Sequence, residues 1–287
     1  MNKKHLIPLF GTFLCWGSMY VVSKIALRTV PPVTLLALRY LVAIPALLVI
    51  LRIRGTLRRM ERADVMTVAA IGLLGYFLSF CLQMQGIARL TGAISSLLGA
   101  MNPIFIPILA ALFLGERLTA AKVACVAVSM TGVVIIVGVG GTVNAAGAAL
   151  MLTSVLLWSA SSVIIRRISG KYDPMQVAML GMVFALPFTG AWAAIELRSA
   201  AFSLPAESLF AVLFMGLVGT AAAHTFWNTS LSLMDASFCS MFYPMQPLVS
   251  SILGVLILGE TITPSFLLGA AVICTGIVAA VLSGKKK

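Results

Sequence analysis

The sequence predicts an all-α membrane protein of about ten transmembrane helices, arranged as two inverted five-helix repeats. Three observations lead there. Of the 287 residues, 61% are hydrophobic and 10% are charged, against about a quarter charged in a soluble domain. The apolar residues fall into runs near the roughly 20 positions a helix needs to cross a hydrocarbon layer. The second half of the chain also repeats the first.

The runs occupy residues 6–25, 33–51, 65–87, 92–114 and 121–138, then 147–165, 176–195, 208–230, 236–258 and 266–283. Lipid offers the backbone no hydrogen-bond partner, so spanning segments must be helices or a closed barrel, and the two-residue alternation of a barrel is missing. The first run follows Lys3 and Lys4, as in a signal peptide. It continues to about Ile25 without a small-residue cleavage site, so it is expected to be the first span. Cys15, Cys81, Cys125, Cys239 and Cys274 sit inside apolar runs without CxxC spacing. They read as small buried hydrophobes, not as metal ligands or disulfide partners.

A formal charge of +12 would suggest nucleic acid in a soluble protein, but in a chain this apolar the basic residues orient spans. With a cytoplasmic N-terminus, the inner segments hold Lys3, Lys4, Arg52, Arg54, Arg58, Arg59, Arg62, Arg117, Lys122, Arg166, Arg167, Lys171 and Lys285 to Lys287, which is 15 of the 20 Lys and Arg. The outer ends hold Lys24, Arg28, Arg89 and Arg198, and Arg39 lies within the second span. This asymmetry places both termini on the cytoplasmic side of the cell membrane.

Residues 92–135 align without a gap on 236–279 at an offset of 144, with 15 identities in 44 positions. Met101 matches Met245, Pro103 matches Pro247, and Leu114-Gly115-Glu116 matches Leu258-Gly259-Glu260. Earlier in each half the offset is 142, pairing Trp16 with Trp158, Pro32 with Pro174 and Pro45 with Pro187. The repeats are thus residues 1–140 and 141–287. Five spans each, an odd number, invert the second relative to the first, and inverted repeats are the usual framework for opening one central site alternately to either side.

The Trp in the first span of each half, the Asn-Pro and Gln-Pro pairs, and the Leu-Gly-Glu signatures that follow make the chain resemble the EamA-type drug/metabolite transporter superfamily over nearly its whole length. The resemblance implies a central cavity lined chiefly by spans 1, 3, 4, 6, 8 and 9. It also implies substrates among amino acids, other metabolites, nucleobases and quaternary amines, and it favours export. No Walker A motif offers ATP drive and no cofactor motif is present, so transport is expected to be secondary.

Polar side chains deep in a span are costly and therefore candidates for the pathway. Asn102 and Gln246 occupy one place in the two repeats, each before a proline that strips a carbonyl of its helical donor. They either contact solute or bond those carbonyls. Trp16, Tyr20 and Ser23 recur on one helical face, and Trp158 and Ser162 repeat the spacing. Tyr76, Gln83, His224, Trp227, Asn228 and Tyr243 complete the expected wall. His224 is either a solute contact, a proton carrier that would couple transport to protons, or a satisfied buried histidine. Lys24, Glu116, Arg166 and Glu260 are expected as gate residues, Glu116 pairing with Arg166 at the inner end and Lys24 with Glu260 at the outer; the alternative is that both glutamates only cap or turn the chain after Gly115 and Gly259. Arg39, about a third of the way into its span, would contact a solute carboxylate if it faced inward; the preferred expectation is that it snorkels to the outer interface.

The spans carry no deep carboxylate, which points to a small neutral or zwitterionic metabolite such as an amino acid; a quaternary amine or nucleobase-like solute held by aromatic faces is the alternative. A receptor or scaffold that binds without transport is the alternative from another class. An enzyme is not expected, since His224 has no acid, nucleophile or metal set beside it. The expected partners are the solute and the lipid bilayer, with no nucleic acid. In a background with the native cysteines replaced, Arg58→Cys and Val143→Cys should react with impermeant reagents from opposite sides of the membrane; labelling of both from outside intact cells would overturn the topology.

Overall fold

The computed structural model describes residues 5–90, 95, 98–137, 144–258 and 264–283. Among them the chain forms α1 (Leu6–Ala26), α2 (Pro32–Arg54), α3 (Arg62–Arg89), α4 (Asn102–Leu114), α5 (Ala120–Val137), α6 (Ala145–Ile168), α7 (Pro174–Glu196) and α8 (Ala206–Leu233). There follow α9, in two pieces (Ala236–Ser240 and Met245–Leu258), and α10 (Pro264–Ser283). Among the described residues, seven helices are long and apolar enough to cross a membrane, and Asn102–Leu114, Ala120–Gly132 and Leu267–Ala279 are apolar but shorter.

Proline opens α2 and α7, where its missing N–H costs nothing, and Asn144 caps α6 by accepting from the Gly147 amide. Arg52 and Arg54 close α2, and Arg166 and Arg167 close α6. These charged last turns favour the helix C-terminal dipole and carry the helices slightly beyond the apolar windows. The span expected as continuous over 236–258 is instead broken at residues 241–244, next to Pro244 and Pro247.

Ile53, Leu112, Phe113 and Leu256 are exposed on the outside of the bundle, while Thr12, Asn102, Ser159 and Gln246 are buried within it. This inside-out distribution suits lipid. Successive helices alternate in direction, and side chains tie their ends together. At the face where α1 begins, here the terminal face, Asp64 meets Lys171 and Tyr172, and Gln176 exchanges hydrogen bonds with the Arg58 backbone. At the far face Glu196 accepts from the Val33 and Thr34 amides, and Thr29 meets Ser208.

Close helix approaches recur in pairs that obey the sequence offsets. A Cβ at Gly72 would lie 2.7 Å from the Gly181 carbonyl oxygen, and one at Gly216 would lie 3.2 Å from that of Arg39. Gly75 packs on Ser161 as Gly219 packs on Met19, and Gly132 meets Gly269 and Ile273 as Gly276 meets Cys125 and Ser129. Gly72–Ser79 in α3 and Met215–Ala222 in α8 both wind as π-helix. With no Cβ of their own, the glycines let the neighbouring helix, backbone or side chain, come close, which is how apolar helices associate where no hydrophobic drive exists. Backbone atoms cannot yield, so Gly132→Ala should destabilise by about 1–3 kcal/mol. Gly190→Ala, which meets nothing within 4 Å, should be neutral or stabilising by up to about 1 kcal/mol; thermal unfolding in detergent compares the two.

Candidate functional site

Where the halves meet, Trp16 and Trp158 face each other with ring centroids 5.8 Å apart and planes at 79°. The offset of 142 makes them equivalent positions of the sequence repeat. Around this pair lies a chamber of about 60 Å³, walled by Trp16, Tyr20, Gln83, Asn102, Trp158, His224, Tyr243 and Gln246, with Arg39, Phe80 and Met215 also on its surface. The Trp16 ring lies 5.4 Å from His224 and the Trp158 ring 5.0 Å from Phe80. Tyr76, Ser162, Trp227 and Asn228, also expected in the wall, are buried but lie outside the chamber lining. Tyr76 and Trp227 support it from behind: Tyr76 packs 5.1 Å from His224, and Trp227 packs 5.6 Å from Trp16.

The two equivalent amides are used differently. Pro103 has no N–H for the Gly99 carbonyl, and Asn102 Nδ2 donates to that oxygen at 2.9 Å while its Oδ1 accepts from Ser159 Oγ at 2.9 Å. In the other half the Gln246 backbone N–H donates to the Tyr243 carbonyl, and Gln246 Oε1 accepts from the Tyr20 hydroxyl at 3.4 Å. Asn102 is therefore committed to the backbone and Gln246 only weakly held. Trp158 Nε1 donates to the Tyr243 hydroxyl at 2.6 Å. His224 Nδ1 lies 2.8 Å from the Thr220 carbonyl oxygen, which fixes the proton on Nδ1 in the neutral ring; Nε2 is left as an acceptor without a partner among the described residues.

Access is one-sided. Tyr20 and Ile87 belong both to the chamber and to a vestibule of about 470 Å³ at the far face, which Lys24, Arg28 and Glu196 also line. Toward the terminal face, Phe13, Trp227, Tyr243 and Phe242 are almost wholly buried, and Phe13 packs edge-on against Tyr243 at 4.9 Å. The cavity at that face, formed by Gly115, Glu116, Arg117, Arg166 and Asp235, shares no wall with the chamber. Small-ligand sites occupy about 300–1,000 Å³. The vestibule falls within that range and the chamber, with Tyr20 and Ile87 shared between the two, falls below it.

Residues 4–138 and again 145–282 match the EamA-like transporter family. The chain belongs to that family. A relative described as an uncharacterized transporter from Archaeoglobus fulgidus is 27% identical over 281 residues, covering 96% of this chain and 98% of its own. The probable terminal-alkyne amino-acid exporter of Streptantibioticus cattleyicolor is 25% identical over 280 residues, covering 96% and 92%. A solved crystal structure superposes with a TM-score of 0.82 at 21% identity, covering 100% of this chain and 99% of its own, and shares the fold.

Of the two readings of Arg39 in this EamA-like chain, outward snorkelling fails. Arg39 is 3% exposed and does not snorkel outward; it turns into the bundle, where Nε donates to Thr220 Oγ1 at 3.0 Å. Hydropathy gives depth along a helix but not azimuth, and the approach of Gly216 to the Arg39 backbone sets the latter. Phe80 was detectable in the repeat, since the offset of 144 pairs it with His224. Met215 carried no such signal.

Of the expected gate residues, Glu260 lies outside the described residues, and Lys24 is exposed at the vestibule. Glu116 lines one cavity with Arg166, yet its carboxylate accepts from the Ala236 and Ser237 amides and the Ser237 hydroxyl at the start of α9. Gly115 makes this reach feasible: with φ at 68° it ends α4 in the left-handed region and turns Glu116 toward α9. Because Asn102 serves the backbone, Asn102→Ala should lower stability by about 1–3 kcal/mol, with a clearly smaller loss for Gln246→Ala; unfolding of the purified variants measures both.

Proposed function

We propose that the protein is a secondary transporter that moves a small zwitterionic or neutral metabolite, with amino acids the leading class, by alternating access. The observation that carries the reading is the chamber, built around a Trp pair from both halves, joined to a vestibule at one face and closed by packed aromatics at the other. Inverted halves can exchange conformations, and the same chamber then opens to the opposite face. On this reading the three shorter apolar helices complete ten spans. The charge asymmetry puts the termini in the cytoplasm, so that the vestibule faces outward in this state. The amino-acid exporter among the relatives supports both the substrate class and export.

The aromatic walls suit a zwitterion's ammonium and apolar parts, and His224 Nε2 and the Gln246 amide offer hydrogen bonds. Tyr20 is the element that must move for solute to pass between vestibule and chamber. Purified protein in liposomes should therefore exchange labelled amino acids without ATP. Trp16→Ala, Trp158→Ala, His224→Ala and Gln246→Ala should each cut flux by about tenfold or more, the loss expected from removing one charge-assisted contact or stacking face, while folded yield changes less than about twofold. Saturable binding without flux would instead support a receptor, and normal flux in all four variants would remove the chamber from the pathway.

A further inference from the structure

Among the described residues, Arg39 is the one cation in the chamber wall. Its surroundings hold it in place without neutralising it. Nε donates to Thr220 Oγ1, and Thr220 donates its own hydroxyl proton to the Met215 carbonyl at 2.7 Å, five residues back in the π-helical turn. The threonine oxygen is thereby left as an acceptor aimed at Arg39. The close approach of Gly216 to the Arg39 carbonyl locks the two helices together at this level.

Among the described residues no carboxylate answers this charge. The chain has eight acidic residues. Asp64 is engaged by Lys171 and Tyr172, Glu116 by the start of α9, Asp173 by the Met175 amide, Glu196 by the start of α2, and Asp235 by Lys122. Glu61 precedes α3 and Glu207 lies in the first turn of α8, both at helix ends away from the chamber. Glu260 lies outside the described residues. The fold does not require a cation here either: the pseudo-symmetric position is Gly181, packed against the Tyr76 ring. The vestibule leading in carries Lys24 and Arg28, and its single acid, Glu196, is the one bound to the α2 amides.

A guanidinium held by one nitrogen presents its other N–H groups as a planar fork, the geometry that takes a carboxylate through two parallel hydrogen bonds. We propose that Arg39 anchors a carboxylate of the transported solute, which makes the substrates amino acids or other organic acids and excludes permanent cations such as quaternary amines. This inference rests on the transporter reading for the word substrate, but the anion site stands apart from it. Basic side chains along the vestibule would draw the same solutes inward, and the aromatic chamber beyond Arg39 would receive the remainder of the molecule.

The test is titration of purified full-length protein, followed by its tryptophan fluorescence, with the twenty proteinogenic amino acids, their carboxamides, benzoate, succinate and choline. At least one carboxylate should bind, and its carboxamide should bind at least about tenfold more weakly, the loss that follows removal of a charge-assisted pair. Arg39→Gln should abolish that discrimination, and Arg39→Lys, which keeps the charge but not the fork, should restore part of it. Thr220→Val, which leaves the charge in place and frees it, should weaken carboxylate binding less than Arg39→Gln does. Equal binding of acid and amide, a response to choline alone, no response to any carboxylate, or full discrimination in folded Arg39→Gln would overturn the proposal. Carboxylate binding without liposome flux would keep the Arg39 site and sink the transporter; flux of choline or amides in preference to acids would do the reverse.

Discussion

The interior of a membrane supplies no hydrogen bonds, so every polar group placed there must be satisfied by the protein itself. Regular helix does this for most of the backbone. Where the helix departs from regularity, side chains take over, and those side chains build the chamber. Pro103 strips the Gly99 carbonyl and Asn102 replaces the missing donor; the π-helical turn of α8 positions Thr220 to serve Met215, and His224 serves the Thr220 carbonyl. Each of these residues is oriented by the bond it makes to the backbone. His224 Nε2 is left without a partner among the described residues, and Arg39, held through Nε, stays at the chamber wall.

The same constraint explains why symmetry governs the scaffold but not the lining. Backbone-to-backbone approaches at Gly72 and Gly216, or Gly132 and Gly276, demand a glycine on both sides of the axis, since any Cβ would meet main-chain atoms. The lining positions face space and are free to diverge. Tyr243 in one half stands where Gly99 stands in the other, His224 where Phe80 stands, and Arg39 where Gly181 stands. A symmetric frame thus holds an asymmetric chamber, closed by the Tyr243 side and approached from the Gly99 side.

Some of the site was legible because it lies on the repeat. Trp16 with Trp158 and Asn102 with Gln246 are pairs that any alignment of the halves exposes, and all four reach the chamber. Others were misjudged because a helical face is longer than a cavity is deep: Asn228 shares a face with His224, yet the chamber stops at His224, and the Asn228 amide bonds the Pro174 carbonyl instead. The identical Leu-Gly-Glu signatures read as helix ends or gates with equal ease, and only the placement of α9 shows the Glu116 carboxylate gripping two of its amides.

Composition, run length and the internal repeat were sufficient for an all-helical membrane chain that carries one family pattern twice, because the cost of unpaired backbone in lipid leaves few alternatives. They also gave the approximate helix ends, since charged last turns and proline first turns mark the interface. The tertiary structure alone decided azimuth and partnership: which way Arg39 turns, which amide is consumed by a broken helix, and which face of the chamber is open. Periodicity assigns a residue to a side of its helix. What lies on that side is set by the neighbouring helix, and here the neighbours come from the other half of the chain, up to 226 residues away in the Tyr20–Gln246 contact.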